Sequence, residues 1–367
     1  MKQIAMGSVS LNEQEIEAAV AVLRSGALRQ GPQCEAFEKE FCARFGGQYG
    51  VSSSSGTSAL HIAYMCFLKP GDEVLVPAFS FIATASMVTA AGGKPVFCDI
   101  DPNTFLLDLD DAEKRITDKT VAISPVHLYG NPCDIEKVQA FARKHNLKIV
   151  WDAAQAHGAT YDGNEIGGYG DFVSYSFYPS KNMYVGEGGI TTTDNADYAE
   201  QMRAFRSHGQ TGFYLHTSLG LNYRMTDMEA AIGREQIKGF DEKLKIRRRN
   251  AAMLNEGLAG IDGLQLQTIT PKAESAWHQY CVVVDESAFG MDRAALMANL
   301  KEQGIGTGIH YPTGLHTQPV FLEMYGEPEP LPVIERTCER ILALPVHHGL
   351  EVEDVERIIG AIHRARG

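Results

Sequence analysis

Ile149–Ala159 reads IVWDAAQAHGA. The apolar run predicts a buried strand that delivers Asp152 at its carboxyl end, with Gln155 three residues on. An acid so placed can bind a metal, act as a base, pair with a heterocyclic cation, or simply cap the next helix. A metal would want more carboxylates or histidines, and only His157 is at hand. Working outward, the same texture repeats on both sides. Short β-branched runs, turns and helical stretches alternate through YGVSSSSGTSALHIAYMCFL, EVLVPAFSFIATASMVTAAGG, TVAISPVHLYG and IEKVQAFARKHN. Alternating strands and helices imply an α/β fold, with a mostly parallel central sheet sandwiched by helices. Its crossovers are right-handed, so the strand carboxyl ends share one edge, and ligands bind along that edge.

Two further clusters follow strands. SFYPSKNMYVGEGGI (Ser176–Ile190) carries Lys181, 29 residues beyond Asp152 and about one helix–strand unit away. Lys181 is either a surface lysine beside a turn or a nucleophile whose pKa is lowered in a pocket. Gly186, Gly188 and Gly189 would let backbone approach a planar ring, and Ser176 and Ser180 could reach a phosphate. In SSSSGTSAL (Ser52–Leu60), Gly56 opens a helix at Thr57-Ser58. Unpaired amides and hydroxyls there suit an anion, or form an ordinary N-cap. The stretch matches neither a P-loop nor GxGxxG. An anion site, a ring-pairing acid and a Schiff-base lysine on one edge are together the requirements for pyridoxal phosphate.

The bulk numbers narrow the class. The 367 residues are 44% hydrophobic and 22% charged, an ordinary globular balance. A net charge of -13 opposes nucleic acid as a partner. The basic run KLKIRRRN (Lys243–Asn250) reads as a solvated helix face. Seven cysteines, an odd count at wide spacing, argue for reduced thiols and a cytoplasmic protein rather than a disulfide framework or zinc site. The N-terminus lacks the apolar core of a signal peptide, and no run of about 18 apolar residues suggests a membrane span. Past Asn222 one or two long helices lead into mixed strand and helix pieces. The expected division is a large domain over 1–245 and a smaller α+β domain over 246–367.

The motifs resemble those of the DegT/DnrJ/EryC1/StrS sugar aminotransferases, fold-type I pyridoxal phosphate enzymes. The resemblance runs nearly end to end, through GPQCEAFEKEF, SSSSGTSALHIA, PGDEVLVPAFSFIATAS, DAAQAHGA, SFYPSKNMYVGEGG, LGLNYRMTDMEAAIGREQ and IHYPTGLHTQPVF. It implies that Lys181 bonds to the cofactor and later carries the proton. Asp152 would hold the pyridine nitrogen protonated, and Gln155 would hydrogen-bond the ring hydroxyl. Gly56, Thr57 or Ser58, and Ser176 would hold the phosphate, and Phe81 would stack on the ring. Asn222, in NYR, would reach the phosphate of a neighbouring subunit, so a homodimer with shared sites follows from the resemblance.

The implied reaction passes an amino group from an amino acid, glutamate foremost, through pyridoxamine phosphate to a nucleotide-linked keto sugar. His310, Tyr311 and a partner's Arg224 would contact the acceptor. Some family members aminate cyclitol ketones instead. Others carry histidine at the lysine position and dehydrate the sugar; Lys181 favours amino transfer. A non-catalytic regulator or an NAD-dependent sugar enzyme would need a DNA-binding extension or GxGxxG, and neither occurs. Trp151 reads as core, His157 as a neighbour of the site, and His347 and His348 as surface loop residues.

Overall fold

The computed structural model describes residues 2–366. Seven strands form the main sheet: β1 (Tyr49–Ser53), β2 (Glu73–Pro77), β3 (Lys94–Cys98), β4 (Thr120–Ile123), β5 (Lys148–Asp152), β6 (Phe172–Ser176) and β7 (Gly189–Thr193). Their order is β1-β7-β6-β5-β4-β2-β3. β7 runs antiparallel to β1 and β6, while the other pairings are parallel. Every residue of β2, β6 and β7 is buried, as expected of strands covered by helices on both faces.

Register builds the functional edge. Gly189 opens β7 opposite Ser53 of β1 on one side and Ser176 of β6 on the other. Asp152 ends β5 beside Ser174 of β6. The carboxyl ends of β1, β5 and β6 therefore meet in one region, and the β6–β7 connection carries Lys181 across it.

A second, antiparallel sheet has the order β8 (Leu264–Leu266), β9 (Tyr280–Val284), β10 (Ile341–Leu344). It has its own apolar cluster, to which Ala251, Leu254 and Leu258 contribute. Those three lie on a helix of 32 residues, Asp227–Leu258, whose earlier residues Ile232, Phe240 and Leu244 belong to the main core. The change from one core to the other thus falls inside a continuous helix. The N-terminal segment reaches this second cluster too. Ile4 packs in the second cluster and bridges in parallel to Ile305.

The basic run on this helix is not the solvated face expected of it. Arg247 is buried, and it donates to the carbonyls of Trp277 and His278 at 3.2 and 3.3 Å. Burial pulls its guanidinium down to about 10. Arg248 donates to the Ser275 and Gly158 carbonyls, and fully buried Asn250 to those of Val346 and His347. The run fastens loops of both units to the helix. His347 likewise is buried rather than at the surface, with Nε2 against the Ala5 carbonyl at 3.0 Å. Trp151 is fully buried and stacks on His127, ring centroids 4.7 Å apart. Among the described residues no helix is long and apolar enough to cross a membrane.

Candidate active site

A cavity of about 590 Å³ opens at the carboxyl edge of the sheet. Gly56, Thr57, Asp152, Gln155, Ser176 and Lys181 all line it. Phe81, His310 and Tyr311 line it as well.

One end is an anion cradle. The helix Gly56–Met65 begins where β1 ends, with Ser55 as its N-cap. A Cβ on Gly56 would lie 2.5 Å from Ser176 Cβ, and one on Gly189 would lie 2.2 Å from the Ser55 carbonyl oxygen. Only glycine lets this helix end sit so close to β6 and β7. The amides of its first turn and the Thr57 and Ser176 hydroxyls then face one space. Ser58 does not join them. Its Oγ accepts from the Ser55 amide at 2.9 Å while its own amide donates to Ser55 Oγ at 3.0 Å. This capping box takes Ser58 out of the expected phosphate ligands.

The other end is a charged pair around a flat space. Asp152 is buried; Oδ2 accepts from Thr84 Oγ1 at 2.7 Å and Oδ1 from the Ala154 amide at 3.1 Å. Burial raises its pKa, against the hydrogen bonds from Thr84 and Ala154 and the charge of Lys181. No arginine lines the cavity, so this carboxylate lacks a fixed guanidinium partner there. The Lys181 amide donates to the Tyr178 carbonyl at 2.9 Å, but its Nζ makes no hydrogen bond or ion pair to the described residues. Desolvation pulls its ammonium down to about 8, with Asp152 pulling the other way. A lysine near 8 is a usable nucleophile and base at neutral pH. The cradle, the free amine and the buried carboxylate fit pyridoxal phosphate: phosphate at the helix end, aldehyde at Lys181, ring nitrogen at Asp152.

Several side chains stand where the sequence did not point. Gln155 Oε1 accepts from the Tyr129 amide at 2.8 Å, and its Nε2 donates to the Tyr311 hydroxyl at 3.0 Å. Both ends of the amide thus already have protein partners. The Tyr129 hydroxyl donates to the His310 carbonyl, so one buried tyrosine fixes both walls. His278, Gln279 and Glu187 also line the cavity. Thr84 and Tyr129 carried no local signal, because only the folded sheet brings them to Asp152 and Gln155. His157 is outside the cavity. It is buried among Phe41, Phe45, Tyr175 and Phe177, and desolvation pulls it down to about 3.

Asn222 and Arg224 do not line this cavity either. Asn222 is exposed and bridges to Ser207. The segment between them is tied back by Tyr223, whose carbonyl accepts from the Ser54 amide at 2.8 Å and whose hydroxyl meets His61 Nδ1 at 3.1 Å. Arg224 lines a separate depression of about 820 Å³ together with Arg29, Lys39, Arg203 and Arg206.

Known proteins resemble the whole chain. A pleiotropic regulatory protein of Geobacillus stearothermophilus is 37% identical over 93% of this chain and 91% of that one. The structure of S. venezuelae DesV in complex with a ketimine intermediate superposes with a TM-score of 0.91 at 36% identity, covering 96% and 94% of the two chains. A Streptococcus pneumoniae chain solved in its PMP form gives 0.93 at 28% identity, covering 100% and 98%. The profile of the DegT/DnrJ/EryC1/StrS aminotransferase family matches residues 9–363. The chain belongs to that family, the pyridoxal-phosphate-dependent sugar aminotransferases.

Proposed function

We propose that this enzyme transfers an amino group from glutamate to a nucleotide-linked keto sugar, giving an amino sugar, and that it does so as a homodimer. The observation that carries this reading is Lys181. It is an unpartnered, desolvated amine, lowered to about 8, on the same strand edge as a buried carboxylate and an anion cradle.

Pyridoxal phosphate, when bound, supplies an aldehyde that condenses with amines and a ring that takes up an electron pair. Everything else falls to the chain. The Gly56 helix end, Thr57 and Ser176 would hold the phosphate. Asp152 keeps a proton on the ring nitrogen, its own orientation fixed by Thr84 and the Ala154 amide. Phe81 covers the ring face, and Gln155 braces Tyr311 beside it. With its amine free, Lys181 would take up and return at its Nζ the proton of the substrate carbon. That task requires the neutral amine which desolvation provides. His310 and Tyr311 form the wall that meets the keto sugar.

Asn222 and Arg224 act on the neighbouring copy's site. Their position outside their own cavity supports this, as does the absence of arginine from that cavity's walls. A glutamate donor and a sugar diphosphate both need cations that one chain's cavity lacks. The seven unpaired cysteines support a cytoplasmic setting.

The test separates the two halves. Holoenzyme given glutamate without acceptor should release one 2-oxoglutarate per protomer and stop. A nucleotide-linked keto sugar should then be aminated without further glutamate. Release that depends on the sugar being present from the start would overturn the two-step reading.

A further inference from the structure

Asp152 ends β5, yet the side chain that holds it comes from the connection after another strand. Ser80 follows β2, and the helix Ala83–Ala90 that comes next carries Thr84 in its first turn. β4 separates β2 from β5 in the sheet, so this connection reaches past one strand to the carboxylate. Thr84 Oγ1 lies 2.7 Å from Asp152 Oδ2, and Ser80 Oγ lies 2.8 Å from Thr84 Oγ1. All three side chains are buried, Thr84 wholly so. Ser80 and Asp152 line the cavity, with Thr84 joining them from behind its wall.

Hydrogen counting fixes the direction of this row. Each hydroxyl has one hydrogen, and an ionised carboxylate only accepts. With Asp152 ionised, Thr84 must donate to Oδ2, and Ser80 must then donate to Thr84 Oγ1. The row reverses only if Oδ2 is protonated. Thr84 would then donate to Ser80, whose own hydrogen would find no acceptor among the described residues. The ionised form thus satisfies every hydrogen in the row, and the protonated form strands one. Two hydroxyls in line also polarise each other, which strengthens the bond at the carboxylate.

The charges around Asp152 leave this work to the hydroxyls. Burial pushes the carboxyl up, towards its protonated form. Lys181 is the cation that reaches it, and the same burial weakens that ammonium. Tyr64 and Tyr311 face it as phenols that burial holds above the ordinary tyrosine range. His127, whose amide donates to the Asp152 carbonyl at 3.0 Å, is pulled down to about 3 by burial and carries no charge.

We propose that Thr84 and Ser80 are positioning residues for Asp152, a one-way row of hydroxyls that fixes the carboxylate's orientation and keeps it charged for the ring nitrogen. The ring nitrogen rests on the cofactor reading given above; the row itself does not.

The test follows retention of pyridoxal phosphate against pH, read from the visible band after equilibrium dialysis. Asp152→Asn marks the part of the acid-side loss that belongs to Asp152, because asparagine does not titrate. Removing a donor from the charged carboxylate raises its pKa, so retention should fail earlier as pH drops. In Thr84→Val that part should move up by about one pH unit. Ser80→Ala should move it the same way by less, and Thr84→Ser, which keeps the hydroxyl, should stay near the parent. An unmoved profile in folded Thr84→Val overturns the proposal, as does a shift that persists beside Asp152→Asn. If Thr84→Val does not fold, an unmoved profile in Ser80→Ala overturns it. A parent that retains no pyridoxal phosphate fails the cofactor reading instead, and the row is then read in cofactor-free protein. There the melting temperature lost in Thr84→Val should be larger above the pH at which Asp152 ionises than below it, and equal on both sides beside Asp152→Asn. A loss independent of pH with Asp152 present also overturns the proposal.

Discussion

Lys181 titrates near 8 inside this fold against an ordinary value of 10.5. Between those values the unfolded chain holds more protons than the native one. The group therefore adds stability as pH rises from about 8 towards about 10.5, and adds none below 8. In cofactor-free protein, acylation of Lys181 should be half-maximal near pH 8, while exposed lysines react about two units higher. Asp152→Asn removes the charge that holds the lysine's pKa up, so its labelling should shift further down. The same variant should lower turnover on the order of 10²-fold or more, because the ring proton loses its partner. Lys181 and Asp152 were legible in the sequence because each follows a strand and they stand one unit apart. Ser58 was not, because a hydroxyl after a glycine reads the same whether it caps the helix or binds phosphate. His278 was invisible for a different reason. Its carbonyl is held by Arg247, 31 residues earlier in the chain.

At the scale of elements, the site depends on how closely the Gly56 helix approaches β6 and β7. Gly189→Ala would drive a methyl into the Ser55 carbonyl, a backbone atom that cannot rotate away. It should cost about 1–3 kcal/mol in chemical unfolding and loosen cofactor retention, since the helix end must move to fit. Unchanged stability would mean the cradle is softer than its geometry implies. The sequence predicted the sheet because buried strands and amphipathic helices alternate with turns. It misread KLKIRRRN because folding lays loops of both units over Arg247 and Asn250, while Lys245 and Arg249 stay exposed. A buried arginine satisfied by carbonyls has the same letters as a solvated one; only the loops brought to it by folding tell them apart.

At the scale of the molecule, the chain by itself provides the lysine, the acid and the phosphate cradle, while Asn222 and the arginine-rich depression stand elsewhere. Mixing Asn222→Ala chains with Lys181→Ala chains should therefore recover activity neither has alone. Random pairing gives roughly a quarter of the wild-type value, because half the dimers are hybrids and each hybrid has one intact site. No recovery despite exchange of subunits would restrict each site to one chain. The change in texture past Asn222 corresponds to the long helix that begins at Asp227. Residue 4 packs in the second apolar cluster and pairs beside Ile305, and contacts over that separation leave no local pattern.

The most direct measurement is the visible absorption spectrum of the purified protein with pyridoxal phosphate, before and after glutamate, beside Lys181→Ala. The account predicts a visible band that glutamate bleaches and a nucleotide-linked keto sugar restores, and a band of different character in the variant. A protein that takes up no pyridoxal phosphate, or a band that is identical without Lys181, would contradict it.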